Sequence, residues 1–139
     1  MFQTLFSILF ASCALDKQAL RQEDQEKKFL FESAQRHWEG LRWKIPERAA
    51  AFYEDPLVRA RKEGVIKADP RKITDVDVLH VVLDEKKEEE SQNIDWLRTG
   101  TVIVRVEAFG LSGKQTIDEI EQKWYRTDKG WWVELPKEK

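Results

Sequence analysis

Cysteine is almost absent from this chain. The 139 residues contain one, Cys13, which excludes a disulfide framework and a thiolate metal site within a single copy. Histidine is nearly as scarce, with only His37 and His80. A metal site would need both to converge with a carboxylate, and no local spacing predicts that, so neither a metal nor a cofactor is expected. Glycine numbers 6 and forms no phosphate-binding loop, and no G-x-S-x-G elbow is present. An excess of charge of one sign is also missing. Lys and Arg total 24 against 26 Asp and Glu, a net charge of −2, which supplies no basic stripe for nucleic acid. No apolar run approaches the about 20 residues that span a bilayer, and no internal repeat is visible.

Against this background the first residues stand out. Met1 to Cys13 carry no charge, are mostly apolar, and end in Leu9-Phe10-Ala11-Ser12-Cys13. An apolar region of about 7–15 residues before a small-residue cleavage site fits a secretory signal. With two small residues and a cysteine at its end, the run resembles the lipobox of a bacterial lipoprotein. Phe10 stands where that pattern usually has Leu. The resemblance implies a signal peptide over residues 1–12 that is removed, and lipid attachment at Cys13. It also implies a cell-envelope address. Ala14, rather than Asp, follows the cysteine, which points to the outer membrane facing the periplasm.

Residues 13–28 are almost entirely polar after the cysteine. Glu23 precedes Lys27, and Asp24 precedes Lys28, by four positions, a pairing that supports an exposed helix by a few tenths of a kcal/mol each. This segment reads as a partly helical, lipidated spacer. The folded domain is expected over 29–139. Leu30, Ala34, His37, Trp38 and Leu41 form one apolar helical stripe, with Gly40 near a helix end. Pro46 suits a first helical turn, and Ala49 to Tyr53 make a second short helix that stops before Asp55-Pro56. Residues 57–70 read as another turn of helix or an edge segment, punctuated by Gly64 and Asp69-Pro70.

The second half reads as sheet. Strands are expected over Ile73–Asp84, Thr101–Phe109, Gln115–Thr127 and Trp131–Leu135, with a charged connection over 84–98. Strict alternation would put Val76, Val78, His80 and Val82 on one face of the first strand. Asp128-Lys129-Gly130 reads as a three-residue hairpin loop, which would set Arg126 opposite Trp132 as a cation–π pair. Helices followed by about four locally joined antiparallel strands argue an α+β fold, with N-terminal helices over one face of a curved sheet.

That order resembles the nuclear transport factor 2-like superfamily, shared with ketosteroid isomerase and polyketide cyclases of the SnoaL-like kind. The residues that carry the resemblance are Trp38-Glu39-Gly40-Leu41, Pro46 to Phe52, Thr74 to Val78, Thr101 to Val106, Trp124-Tyr125-Arg126 and Gly130-Trp131-Trp132. It spans roughly residues 30–135 and is a pattern of helices and strands without a fixed catalytic motif, most similar to small uncharacterised lipoprotein members. It implies a cone-like domain, open to a small ligand or filled by side chains. Full members usually carry six strands, and about four are readable here, so a cystatin-like arrangement stays open.

His80 is the sharpest catalytic candidate, because histidine is the natural acid–base near neutral pH. With Asp77, Glu107 or Asp75 on neighbouring strands, a His–carboxylate pair inside a cone could take a proton next to a carbonyl, as the resemblance to ketosteroid isomerase implies. The bland alternative is a hydrogen-bonded histidine at the sheet surface. The 6 tryptophans are read first as core, Trp38, Trp43, Trp124 and one of Trp131 or Trp132 among them, since each ring buries about 150–250 Å². Trp38, Trp124 and Trp132 are also the candidates for a ligand pocket or contact surface. Adjacent Trp131 and Trp132 must face opposite sides of a strand.

The expectation that follows is a non-catalytic, lipid-anchored binding or scaffold module of the cell envelope. Its contacts would be the membrane, through lipid on Cys13, and a protein partner or a small apolar ligand. A homodimer through the sheet also stays open. The alternative is a small isomerase- or cyclase-like enzyme using His80 and a nearby carboxylate.

Overall fold

The computed structural model describes residues 2–85 and 96–136, with side chains from Lys17 onward. Among these, three helices precede four strands: α1 (Phe2–Arg42), α2 (Pro46–Ala50), α3 (Pro56–Ala68), β1 (Lys72–Leu83), β2 (Arg98–Phe109), β3 (Gln115–Thr127) and β4 (Gly130–Val133). The fold is α+β, as expected. The sheet is an antiparallel meander in the order β1-β2-β3-β4.

The first helix does not divide into a spacer and a domain helix. No glycine or proline occurs before Gly40, so nothing interrupts the backbone ladder and α1 runs through both. Its two parts differ in what they bury. Lys17 to Phe29 are exposed apart from half-buried Glu26, whereas Leu30, Ser33, Ala34, His37 and Trp38 are buried. Nor does Gly40 end the helix. It lets α2 come close: a Cβ built there would lie 2.7 Å from the Ala49 nitrogen. The helix stops a little later, where Lys44 takes a left-handed φ of 50° and Ile45 N–H donates to the Gly40 carbonyl.

Of residues 57–70, those up to Ala68 are helix rather than an edge segment, and Asp69 turns the chain out of it in extended backbone. Asp55 caps α3 by accepting from the Leu57 N–H at 2.9 Å, and Pro56 occupies the first turn, where its missing donor costs nothing. Gly64 sits inside this helix in open space, so it weakens α3 without breaking it.

The core lies between α1 and the sheet. Leu30, Ala34 and Trp38 meet Val102, Val104 and Val106 of β2, Trp124 of β3, and Trp131 and Val133 of β4. Full burial is worth about 1.5–3 kcal/mol for each such side chain, so the β2 valines offset part of the entropy lost in ordering that strand. Ile73, Val76, Val78, Val81 and Leu83 of β1 flank the cluster.

That last set overturns the expected alternation of β1. Pairing with β2 slips between Val78 and His80, and again between Ile73 and Asp75. An extra residue opposes one on the partner strand, which reverses the facing of everything beyond it. Val81 and Leu83 therefore join Val76 and Val78 against the core, while His80 is exposed and Val82 is 53% exposed.

The last hairpin also differs from expectation. Thr127 pairs with Gly130, so the loop is Asp128-Lys129 and Arg126 lies opposite Trp131. Gly130, at φ 141°, supplies backbone that a side chain would strain. Trp132 instead faces Tyr125. Trp43, expected in the core, is 64% exposed and donates its indole N–H to Glu39 at 2.8 Å. The charged run over 86–90, part of the expected connection, lies outside the described residues.

Candidate functional site

A largely buried polar cluster lies between α1 and β3. Gln122 occupies the core-facing side of β3, two residues before fully buried Trp124. Its side-chain carbonyl accepts from the indole N–H of Trp38 at 3.1 Å and of Trp124 at 3.0 Å. Its amide nitrogen lies 3.3 Å from His37 Nε2. His37 Nδ1 lies 2.7 Å from the Ala49 carbonyl. One tautomer satisfies all of these contacts: His37 is neutral, donates from Nδ1 and accepts at Nε2.

The surroundings enforce that state. Trp38, Phe52, Tyr53 and Trp124 each approach the His37 ring edge-on at 5.7–5.9 Å between centroids. Burial is the main reason the imidazole pKa falls to about 4; the Ala49 carbonyl opposes the shift and the Lys62 charge adds to it. A histidine with both nitrogens engaged and no access to water has no proton to exchange with a substrate. The cluster welds helix to sheet.

Trp38 and Trp124 thus belong to this cluster, at 6% and 0% exposure. Trp132 lies half-buried on the sheet's other face, donating to Thr127 Oγ1 at 2.8 Å. His80 and Asp77 lie on β1 and Glu107 on β2, on the open face of the sheet, and none of the three is paired with another. His80 pairs in register with Ile103, Asp77 with Arg105, and Asp75 with Glu107. His80 and Asp77 are exposed, and Arg105 bonds the Glu107 carboxylate at 3.0 Å. The closed, water-poor setting that acid–base chemistry at His80 requires is not found there. Cys13 falls on the backbone of α1, and its side chain lies outside the described residues.

Two hollows open elsewhere. The larger, about 690 Å³, lies where the exposed part of α1 passes the ends of β2 and β3, with Glu23, Glu26, Phe29, Glu85, Arg98 and Arg126 along it. Its arginines are engaged by acidic groups, though the buried Nε of Arg126 has no hydrogen-bond partner among the described residues. Arg98 bonds Glu23 at 3.0 Å, Glu26 at 3.5 Å and the Asp84 carbonyl at 3.0 Å, and Arg126 pairs with Glu26. The smaller, about 250 Å³, lies beside β4 and is walled by Tyr53, Trp96 and Tyr125 with Glu54, Asp55 and Glu134. Trp96 stacks on Tyr125 at 4.2 Å and 10° between planes, and the Tyr125 hydroxyl donates to Glu54 at 2.8 Å.

Sequence reasoning missed this second group. Trp96 and Tyr125 are 29 positions apart in sequence, and only the β2–β3 pairing, with Thr99 opposite Tyr125, brings them together. Among the described residues no three His, Cys, Asp or Glu side chains converge as a metal site, and no helix is long and apolar enough to cross a membrane.

What the fold and these groups define is a class: an α+β module with helices over one face of a four-stranded antiparallel meander. Compared with protein-family models, with curated proteins and with solved structures, the chain matches none.

Proposed function

We propose that this protein is a lipid-anchored, non-catalytic binding module of a bacterial cell envelope, held through Cys13 and built on a cone-like or cystatin-like α+β domain. The reading is carried by the division of labour within α1. Its stem, Lys17 to Phe29, is almost wholly exposed and touches the domain mainly through Glu23 and Glu26. Its distal part supplies Leu30, Ala34 and Trp38 to the core. A polar helix that continues out of a domain toward a lone cysteine is suited to standing that domain off a surface. The buried state of His37 and the exposure of His80 favour binding over acid–base chemistry.

The test is mass analysis of the protein produced in a bacterial host. Loss of residues 1–12 with diacylglycerol on Cys13 is the expected result, together with membrane fractionation that Cys13→Ser abolishes. An intact N-terminus with a free thiol in the cytosolic fraction would refute the reading.

A further inference from the structure

The small hollow beside β4 combines ring surface with negative charge. Its walls are aromatic and aliphatic, from Tyr53, the stacked pair Trp96 and Tyr125, and Val58, Val133 and Leu135, and its charged groups are all acidic, Glu54, Asp55 and Glu134. Among the described residues no Lys or Arg lines it. The Arg59 guanidinium spends donors on the backbone carbonyls of Tyr53 and Glu54, and among the described residues no salt bridge reaches Glu54, Asp55 or Glu134. An aromatic ring presents a negative face to a cation, and Tyr53 already carries one: Lys62 Nζ lies 5.4 Å from its ring centroid.

We propose that this hollow binds a small organic cation, an alkylammonium group, with Tyr53, Trp96 and Tyr125 as its walls and Glu54, Asp55 and Glu134 opposing its charge. The inference deepens the binding-module reading by assigning the class of ligand. Three facts favour this class over others. An apolar ligand would use the rings and Val58, Val133 and Leu135 but leave the three carboxylates at the hollow without a counter-charge. A metal ion would demand several free oxygens in one shell, yet Glu54 accepts from Tyr125 and Asp55 caps α3. An alkylammonium needs only ring surface and diffuse negative potential, and it is weakly hydrated enough to leave water for them. The same carboxylates act on Tyr125, whose phenol pKa is raised first by burial, then by its hydrogen bond to Glu54 and the charges of Glu54, Glu134 and Asp55. The volume of about 250 Å³ suits a small headgroup.

Choline is the probe, against its uncharged isostere 3,3-dimethylbutan-1-ol. The full chain is held in micelles of a neutral maltoside and followed by the indole N–H signals in NMR, with Trp96 assigned through Trp96→Phe. Choline should shift the Trp96 signal in a saturable way, and the isostere should bind at least 10-fold more weakly. Glu134→Gln and Glu54→Gln should each weaken choline about 3- to 10-fold; the latter keeps an acceptor for Tyr125. Unchanged Trp38 and Trp124 signals report that the fold is intact in each variant. Equal binding of both probes, indifference to both substitutions, or shifts confined to other tryptophans would overturn the proposal. Such an outcome with lipid found on Cys13 would leave the module reading standing. A bare Cys13 with charge-dependent binding would do the reverse.

Discussion

His37 and Gln122 meet across the helix–sheet interface, with 3.3 Å between imidazole Nε2 and the amide nitrogen. The contact is made by an unprotonated Nε2, and the burial around it links stability to pH. Burial first, then Lys62, lowers the His37 pKa from 6.5 to about 4 against the pull of the Ala49 carbonyl. Above pH 6.5 the folded and unfolded chains are both neutral at this residue. Between 6.5 and 4 the unfolded chain takes up the proton and the folded one does not, so stability falls as pH falls. The full effect is about 3 kcal/mol. Urea unfolding of the wild-type chain and His37→Gln from pH 7.5 to 4.5 should show a steeper loss for wild type. Parallel curves would contradict the assignment.

Removing Gln122 tests the same cluster from the sheet side. Gln122→Leu keeps the bulk but strands the indole N–H groups of Trp38 and Trp124 and the Nε2 of His37. An orphaned buried group costs about 1–3 kcal/mol, so the variant should lose about 3 kcal/mol or more in equilibrium unfolding. A loss below about 1 kcal/mol would mean the cluster relaxes onto other partners.

Two glycines should respond to alanine with opposite signs. At Gly40 the new methyl would meet the Ala49 backbone at 2.7 Å, which α2 cannot yield without shifting, and overpacking of this kind costs about 1–3 kcal/mol. At Gly64, inside α3 and in open space, Gly→Ala should stabilise by about 0.5–1 kcal/mol. Thermal melts of Gly40→Ala and Gly64→Ala should therefore move apart from wild type in opposite directions.

Glu26 clasps the stem of α1 to the sheet by meeting both Arg98 and Arg126. Its side chain is 22% exposed, against 10% and 35% for the two arginines, so solvent discounts the pair with Arg126 more. Glu26→Ala should cost about 1–2 kcal/mol. Hydrogen exchange gives the sharper reading: amides over 17–25 should exchange faster, while those from Leu30 onward stay protected.

Much of this fold could be read from the chain. The stripe Leu30, Ala34, Trp38 and Leu41 faces the core as its spacing indicates, and the four strands fall close to the apolar alternations that announced them. Three things could not be read. A bulge adds one residue without a composition signal, so the facing of His80 was inverted by the slip after Val78. Loop length near Gly130 depends on pairing geometry, so Arg126 met Trp131 rather than Trp132. The choline-sized hollow is assembled from α2–α3, β3 and residues flanking the strands, and no local window contains it. Of the singled-out side chains, His37 was legible as part of the apolar stripe, but its two partners come from 12 and 85 positions away.

Because α1 is a single uninterrupted rod from its first turns to Arg42, the bearing of the sheet is geared to whatever grips the rod's beginning. Each residue inserted within the stem would swing the module by about 100° and lift it by about 1.5 Å. Seven inserted residues would return it to nearly its original heading. The compass direction in which the aromatic hollow looks is therefore written in the length of the stem, not in its composition.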